Sequence, residues 1–425
     1  MDALVPPVVA VVVAHEPGEW FEETLASLGS QDYPELSVLV LDVGGGEELT
    51  SRVAAVLPDA FVRHLDGDAG FGPSANLVGE MVEGAAYYLF CHDDVALDAD
   101  AVHVMVEEAF RSNAGIVSPK IVEWDDPTML LHVGMSADKT GSVVDRVEAG
   151  EVDHGQYDAV RDVLVAPGGC TLVRADLFAE LGGFAAEIPA MGEDLDLSWR
   201  AQVAGARVVV APDARVRHRQ GMAASTRRPP TAVADPTTAA RRPPSIQELQ
   251  RRHELFVVLS CYSRLHLVRV VPQALLLAAG EVVVAELSGD RERARSVVRA
   301  WTWNLRHVGL VRRRRAVIGA TRQVPDREIR ALMVRGSARL SVFGRRLAED
   351  GEPRPVVAPP AAAGAGAGAV PPVAGGAPGR RQVLAWALAV VVLVVGSRGI
   401  LTGTIPAVGQ FAPYPSLGAT FGQFA

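Results

Sequence analysis

The chain has 425 residues, of which 49% are hydrophobic and 21% charged, so it is long enough for two or three domains with a large apolar core. Its net charge of −9 hides an asymmetry: residues 1–220 carry 13 basic and 38 acidic side chains, whereas residues 221–350 carry 24 basic and 11 acidic ones. The acidic first half argues against nucleic acid as a partner. The basic segment, which precedes an apolar one, suits an anionic membrane surface.

The three cysteines, Cys91, Cys170 and Cys261, are far apart in the chain and odd in number. This pattern favours reduced thiols in a cytosolic compartment over a disulfide framework. The apolar run at residues 8–14 follows Asp2 and two prolines and leads into a helical pattern. We therefore do not expect it to be a signal peptide.

Apolar runs alternate with helical patterns at the start of the chain. The β-branched run Val8–Ala14 is typical of a strand buried on both faces, and a second run at residues 36–41 ends at Asp42. A further run at residues 87–91 leads directly into the acidic sequence at 92–94. This alternation predicts a doubly wound α/β sheet whose ligands bind at the carboxyl ends of the strands.

The second part of this sheet has a less regular pattern. Residues 101–112 have helical spacing and residues 115–118 indicate a strand, whereas residues 123–160 are polar and acidic and we interpret them as strands and loops that cover the site. Residues 207–211 predict a last strand. Residues 222–245, which are rich in Pro, Arg, Ala and Thr, predict a mobile loop after a first domain at 1–221.

An acidic stretch that begins at Gly192 places three carboxylates within four positions, Glu193, Asp194 and Asp196. If a helix begins here, Glu193 and Asp194 lie in its first turn, where free N–H groups and the positive end of the dipole favour carboxylates. Taken alone, this pattern favours a simple helix start over a catalytic site.

The basic half of the chain predicts helices close to a membrane. Residues 246–347 are basic and amphipathic, and they contain four consecutive arginines at 312–315. The apolar segment 270–287 includes one glutamine and two glutamates, which favours a helix that lies at the membrane interface over one that spans it.

The last part of the chain predicts a linker and a transmembrane helix. Residues 348–379 form a Pro/Ala/Gly linker, and residues 380–401 are apolar and long enough to span a bilayer. Two arginines at the start of this helix would keep the preceding residues in the cytoplasm. The apolar segment 402–425 would then be extracytoplasmic, at the start of a longer membrane region.

The order and spacing of these motifs resemble the family 2 glycosyltransferases, inverting enzymes of the A-type glycosyltransferase fold. The resemblance covers residues 8–221 and is most specific between Gly182 and His218. It implies a mixed sheet flanked by helices, of the nucleotide-diphospho-sugar transferase type. The motifs are a strand ending at Asp42, a Gly-rich turn with Asn76, a strand ending at Asp93-Asp94, Gly168-Gly169-Cys170, Gly182-Gly183-Phe184, Glu193-Asp194-x-Asp196-Leu197-x-x-Arg200, Gly205 and His218.

The resemblance also implies roles for individual residues. Asp194 matches the general base, and Glu193 beside it orients the acceptor or the base. Asp94 matches the metal ligand, although His92 stands where many members carry Asp or Asn. His218 matches a histidine that completes the metal site in some members, and a purely structural role for it is equally open. The residues implied in nucleotide-sugar binding are Ala14, His15, Glu16, Asp42, Asn76 and Asp93, and the implied supports are Gly169, Asp196 and Arg200.

The implied activity is transfer of a sugar from a nucleotide-sugar donor, with Mg²⁺ or Mn²⁺, to a lipid-linked or cell-envelope glycan at the cytoplasmic face of the cell membrane. The sequence lacks the Gln-x-x-Arg-Trp motif of processive synthases, which favours addition of a single sugar. Two alternatives remain open. The chain could be a nucleotidyltransferase, or a non-catalytic cytoplasmic module of a larger membrane protein.

Overall fold

The computed structural model describes residues 5–220 and 244–336. The predicted linker at 348–379, the predicted transmembrane helix at 380–401 and the segment 402–425 lie outside these ranges, as does most of the predicted loop at 222–245. The chain divides into two compact units. The first comprises Met1–Leu275 and Arg295–Arg335, and the second comprises Leu276–Ala294 and Gly336–Ala425.

A mixed sheet forms the centre of the first unit. In the described residues its order is β10-β12-β6-β11-β4-β1-β2-β3, with β5 paired to β12 and β7 paired to β6, while β8 and β9 form a separate pair. The strands are β1 (Val8–Ala14), β2 (Leu36–Asp42), β3 (Phe61–His64), β4 (Tyr87–His92), β5 (Val95–Leu97), β6 (Ala114–Glu123), β7 (Leu130–His132), β8 (Met135–Ala137), β9 (Val143–Asp145), β10 (Arg161–Asp162), β11 (Cys170–Arg174) and β12 (Arg207–His218).

Helices cover both faces of the sheet, and further helices follow it in the chain. They are α1 (Phe21–Gly29), α2 (Gly46–Val56), α3 (Phe71–Ala75), α4 (Val78–Met81), α5 (Ala101–Ser112), α6 (Ala175–Glu180), α7 (Glu193–Val203), α8 (Ile246–Cys261), α9 (Arg264–Leu287), α10 (Arg291–Arg306), α11 (Val308–Thr321) and α12 (Asp326–Ile329). Every residue of β1 is buried, because β1 pairs in parallel with β2 and β4 and carries apolar side chains to both faces.

The mixed α/β sheet confirms the fold that the resemblance implies, and it differs from the uniformly parallel sheet that strand–helix alternation by itself would suggest. Strand β11 runs antiparallel to both β4 and β6, which it separates. Strand β12 is longer than the predicted strand at 207–211, because pairing with β6 resumes after a register shift between Ala211 and Arg215. The extension carries His218 to the same edge of the sheet as the end of β4.

Two of the helices that follow the sheet, α8 and α11, pack against α7. These two helices also contact each other. Trp199 of α7 meets Tyr262, which follows α8, edge to face at 5.0 Å between ring centroids, and Phe256 of α8 is completely buried in the same apolar cluster. Within the first unit, the start of the predicted basic helical region thus supports the acidic helix.

Helix α9, Arg264–Leu287, is 24 residues long and has a mean hydropathy of 1.8 over its most apolar window, of which 17% is buried. Among the described residues it is long and apolar enough to cross a membrane, judged by length and composition alone. Its placement at the membrane interface stays a prediction.

Candidate active site

A cavity of about 440 Å³ opens at the carboxyl ends of β1 and β4. Its lining includes His15 after β1, the segment 92–94 after β4, and His218 at the end of β12. Glu193 and Asp194 at the start of α7 face the same space. Strand ends and a helix start that are far apart in sequence therefore form a single polar site, as expected for an α/β sheet.

One wall of the cavity holds a cluster of two imidazoles and a carboxylate. The ligand atoms of His92, Asp94 and His218 all lie within 4.8 Å of one another. His218 Nε2 is 3.2 Å from Asp94 Oδ1, and His92 Nδ1 is 3.9 Å from the same oxygen. The backbone N–H of Arg219 donates to the Asp94 carbonyl at 3.0 Å, which fixes the end of β12 beside the end of β4.

The predicted support Gly169 makes room for this cluster. Its φ of +107° is in the region that favours glycine, and an added Cβ would lie 3.0 Å from the His218 ring. Its carbonyl accepts a hydrogen bond from the His92 backbone N–H at 2.8 Å. A side chain at this position would therefore displace His218 from Asp94.

The chemistry of the cluster fits a divalent cation. His218 Nδ1 is buried and has no hydrogen-bond partner among the residues that the structure describes. Such a group is costly to bury unless a ligand engages it. Imidazole nitrogens and a carboxylate oxygen together are a common donor set for divalent metals. The family resemblance implies metal-binding roles for Asp94 and His218 but none for His92.

Asp93 points to a different part of the cavity. Its Oδ2 accepts a hydrogen bond from the backbone N–H of His15 at 3.0 Å, and its backbone carbonyl accepts one from the Thr24 hydroxyl at 3.1 Å. The His15 imidazole in turn lies 3.4 Å from Asp68. These contacts tie the ends of β1 and β4 together beside the cavity.

Four predicted donor-binding residues do not line the cavity. Ala14 is fully buried within β1, and Glu16 lies just after that strand with a φ of +47°. Asp42 accepts hydrogen bonds from the N–H groups of Gly45 and Gly46 at 2.6 and 2.8 Å. The structure places Val43, rather than Asp42, at the cavity wall.

Asn76 is the fourth predicted donor-binding residue that does not line the cavity. Its amide donates to the Phe184 carbonyl at 3.0 Å and accepts from the Phe184 N–H at 2.7 Å. An added Cβ on Gly183 would lie 2.4 Å from the Asn76 oxygen, so the glycine is required by this close approach. Because both ends of its amide are engaged by Phe184, Asn76 holds the turn after α6 in place rather than facing the cavity.

Glu193 and Asp194 form the first turn of α7, after Gly192 with a φ of +110°. Burial raises the pKa of both carboxyls, and the neighbouring Asp194 charge further raises the pKa of Glu193, to about 8. Hydrogen bonds from the backbone N–H groups of Leu195 and Gly168 oppose the rise in the pKa of Asp194. Because the charge on Asp194 is one of the causes that raise the pKa of Glu193, Asp194 loses its proton first, and Glu193 with its pKa of about 8 is mostly protonated at neutral pH.

Asp196 and Arg200 lie behind this turn, on the buried side of α7. Arg200 Nε donates to Asp196 Oδ2 at 2.8 Å. Its other nitrogens donate to the carbonyls of Leu181 and Gly183 at 2.9 and 2.8 Å. These bonds join α7 to the glycine turn that precedes it, and neither Asp196 nor Arg200 lines the cavity.

A sequence profile described as "Glycosyltransferase like family 2" matches residues 6–234, which is more than half of the chain. The chain belongs to this glycosyltransferase family. A relative from Mycobacterium tuberculosis, N-acetylglucosaminyl-diphospho-decaprenol L-rhamnosyltransferase, is 28% identical over 255 residues, which are 53% of this chain and 79% of the relative. The O-antigen biosynthesis protein RfbC of Myxococcus xanthus is 24% identical over 223 residues, 50% of this chain and 17% of that protein.

Two solved structures show a weaker likeness to this glycosyltransferase. GalNAc-T7, determined with UDP, GalNAc and Mn²⁺, has 14% identity and a TM-score of 0.47, over 60% of this chain and 49% of that one. TarS of S. aureus has 16% identity and a TM-score of 0.38, over 61% of this chain and 44% of that one.

The candidate site cavity also contains a histidine–aspartate pair that the sequence did not predict. His132 Nδ1 lies 2.5 Å from Asp145 Oδ1, and its Nε2 lies 2.9 Å from Gln220 Nε2. Both residues line the cavity, and positive charge on His132 favours the charged form of Asp194. The pair joins β7 to β9. The sequence between these two strands has no regular periodicity, so no local pattern indicates that His132 and Asp145 are in contact.

Proposed function

We propose that this glycosyltransferase is a metal-dependent inverting enzyme that moves a sugar from a nucleotide-sugar donor to a lipid-linked or cell-envelope glycan. The observation that carries the proposal is that one cavity contains both the His92, Asp94 and His218 cluster and the Asp194 carboxylate. The cluster suits a divalent cation, and the carboxylate suits the role of general base. Sugar transfer from a diphosphate donor requires both a cation and a base.

The proposed reaction assigns a role to each group. His92, Asp94 and His218 would hold Mn²⁺ or Mg²⁺, which when bound supplies positive charge to the leaving diphosphate. Asp194 accepts the proton of the acceptor hydroxyl, whose oxygen forms a bond to C1 of the donor sugar as the bond from C1 to the diphosphate breaks. Attack from the opposite face inverts the anomeric centre. Glu193, as a neutral acid, can hydrogen bond to an acceptor oxygen.

The electrostatics of the acidic turn support Asp194 over Glu193 as the base. Burial raises the pKa of both carboxyls, but the charge on Asp194 raises the pKa of Glu193 further, to about 8, so Asp194 loses its proton first and Glu193 stays mostly protonated at neutral pH. A base must be unprotonated before it can accept a proton. The acceptor hydroxyl would therefore approach on the Asp194 side of the turn.

The proposed acceptor follows from the M. tuberculosis relative, whose name gives a diphospho-decaprenol sugar as its substrate. A polyprenyl diphosphate-linked sugar would be held at the membrane surface. The apolar helix α9 and the basic helices that follow it in the chain are compatible with this location. We therefore place the enzyme at the cell membrane with its sugar-transfer site on the cytoplasmic face.

A donor-hydrolysis screen tests this function. The full chain is incubated with a panel of nucleotide sugars, with Mn²⁺, with Mg²⁺ or with a chelator, and release of nucleoside diphosphate is measured. We expect release with one donor class, dependent on the cation and lost in Asp94→Asn, while the exposed control Asp59→Asn behaves as the wild type. Release of pyrophosphate from a nucleoside triphosphate would instead indicate a nucleotidyltransferase. Absence of both donor binding and turnover would indicate a non-catalytic module.

A further inference from the structure

A second cavity, of about 820 Å³, lies among the helices that follow the sheet. Its walls come from the end of α8, the first turns of α9, the second half of α10 and much of α11. The apolar part of the lining consists mainly of Leu259, Leu267, Val271, Trp301, Leu305 and Val308. A cavity of this size and character is within the range of small-ligand sites.

Four arginines line the same cavity, and no Asp or Glu does so in the part of the chain that the structure describes. Arg322 is paired with Asp326 at 2.9 Å. Arg315 instead donates to two backbone carbonyls, those of Leu259 and Tyr262, at 2.6 and 2.8 Å. Arg264 and Arg312 are exposed and make no ion pair within residues 5–220 and 244–336. The cavity therefore combines an apolar wall with positive charge that the surrounding side chains only partly neutralise.

Arg315 is less well solvated than the two exposed arginines beside it. Burial lowers the pKa of Arg315, and repulsion from Arg264 and Arg322 lowers it further. A phosphate group would relieve this repulsion, because guanidinium groups bind phosphate oxygens through paired, charge-assisted hydrogen bonds. The apolar lining beside them would take a hydrocarbon chain. An anionic amphiphile complements both features, whereas a free inorganic anion complements only one.

Helix α8 connects this cavity to the sugar-transfer site. Gln250 and Glu254 line the site cavity, and Leu259, on the same helix, lines the second one. The rise from Glu254 to Leu259 along the helix axis is roughly 8 Å. Leu265 and Val268 on α9, next to the cavity, are highly exposed apolar side chains, which suits contact with hydrocarbon.

We propose that this second cavity binds the isoprenoid-phosphate part of a lipid-linked acceptor, with the chain against the apolar wall and the phosphate at the arginines. The proposal rests on the proposed function, since it names the part of the acceptor that lies beyond the reacting sugar. A lipid held here would present its sugar toward the site cavity at the other end of α8.

The test uses the full chain in detergent and farnesyl diphosphate as a soluble probe, with binding measured by calorimetry. Two matched probes serve as controls: farnesol, which lacks the charged diphosphate, and inorganic pyrophosphate, which lacks the hydrocarbon chain. We expect farnesyl diphosphate to bind at least tenfold more tightly than either. Equal binding of inorganic pyrophosphate would overturn the proposal, because the apolar wall would then contribute nothing.

Matched variants on α11 locate the probe. Gly319 lines the cavity and an added Cβ there meets no described atom within 4 Å, so Gly319→Leu should block the space without disturbing the fold. Gly309 has equal room but does not line the cavity, which makes Gly309→Leu its control. We expect at least tenfold weaker farnesyl diphosphate binding in Gly319→Leu and unchanged binding in Gly309→Leu. Equal affinities in the two variants would overturn the proposal.

The charge is tested separately by a double variant, Arg264→Ala on α9 with Arg312→Ala on α11. The control is Arg313→Ala, an exposed arginine on α11 that does not line the cavity. We expect a tenfold or larger loss of farnesyl diphosphate affinity in the double variant alone. If the double variant loses affinity for anionic vesicles but keeps its affinity for farnesyl diphosphate, the arginines face a membrane surface and the proposal is wrong.

Donor hydrolysis separates this proposal from the proposed function. None of the substituted residues lines the site cavity, so hydrolysis of the nucleotide sugar should be unchanged in every variant. Normal hydrolysis with no effect of the variants on lipid binding would overturn the lipid site alone. If the wild-type chain hydrolyses no donor but the variants still lose lipid binding, the lipid site is supported and sugar transfer is contradicted.

Discussion

Arg314 of α11 donates a hydrogen bond to the buried carboxylate of Asp196 on α7 at 2.5 Å, across 118 residues of sequence. Arg200 donates to the same oxygen at 2.8 Å. Burial alone would raise the pKa of Asp196, but the two guanidinium groups outweigh it and hold the pKa below its usual range. Helix α11 is thus coupled electrostatically to the helix that begins with Glu193 and Asp194.

Replacing Arg314 should weaken both the fold and the site. Arg314→Met leaves the buried Asp196 with a single cation, and we expect the free energy of unfolding to fall by about 3 kcal/mol, because breaking a buried ion pair leaves uncompensated charge. Turnover should fall as well, since the start of α7 loses an anchor. Denaturant unfolding and donor hydrolysis measure the two effects. Arg313→Met on the exposed side of α11 should change stability by less than about 0.5 kcal/mol, and an equal loss there would contradict the assignment.

Asp194→Asn should abolish sugar transfer while donor binding persists. Loss of a general base lowers turnover by about 10² to 10⁴-fold. The amide keeps the size of the side chain, so calorimetric donor affinity should remain close to that of the wild type. Glu193→Gln should reduce turnover much less, because Glu193 is already mostly protonated at neutral pH. If Asp194→Asn turns over normally, another group is the base.

His92→Gln and His218→Gln should each weaken cation-dependent donor binding. Both side chains lie beside Asp94 in the proposed metal cluster, and removal of one ligand should lower the affinity for Mn²⁺ by tenfold or more. Calorimetric titration of Mn²⁺ measures this directly. His154→Gln, at an exposed position, is the control. Unchanged Mn²⁺ affinity in both cluster variants would place the cation elsewhere.

Glu193 should make the protein less stable as the pH rises. Its folded-state pKa of about 8 is above the ordinary value of 4.5, so its contribution to stability is fully present below pH 4.5 and is lost as the pH rises through about 8. Glu193→Gln removes this loss. Urea unfolding at pH 6 and pH 9 should therefore show a stability advantage for the variant that is larger at pH 9. An advantage independent of pH would contradict the raised pKa.

His253 should make the protein less stable as the pH falls, the opposite direction to Glu193. Burial lowers the pKa of His253 to about 4, and its Nδ1 lies 2.7 Å from the Met191 carbonyl just before Gly192. Its contribution is fully present above pH 6.5 and is lost as the pH falls toward 4. His253→Gln should flatten the decrease in the free energy of unfolding between pH 7 and pH 5, whereas His154→Gln should leave it unchanged. An identical pH profile in the two variants would show that His253 titrates normally.

Much of the scaffold follows from local patterns in the chain. The predicted strand Val8–Ala14 and the predicted helix at 101–112 have the observed bounds. The acidic helix begins at Glu193, directly after Gly192, because the glycine permits the positive φ that precedes the first turn. Apolar periodicity and glycine conformation are properties of a few neighbouring residues, and they are visible in the printed sequence.

The composition of the site depends on contacts that no local pattern encodes. His218 reaches His92 and Asp94 only because β12 resumes pairing with β6 after a register shift and ends beside the end of β4. Asn76 lies in a glycine-rich turn that indicated ligand binding, yet its amide is engaged by Phe184, 108 residues later in the chain.

From residue types and spacing alone, the chain specifies an α/β sheet, the strand ends that carry its carboxylates, and the acidic start of one helix. Those properties arise from interactions within a strand or a helical turn. Which carboxylate faces a cation, which histidines join it, and which arginine holds Asp196 depend on where distant segments come to lie after packing. Hydrogen bonds and charge interactions act over a few ångströms, so the folded chain alone determines which of these side chains can meet.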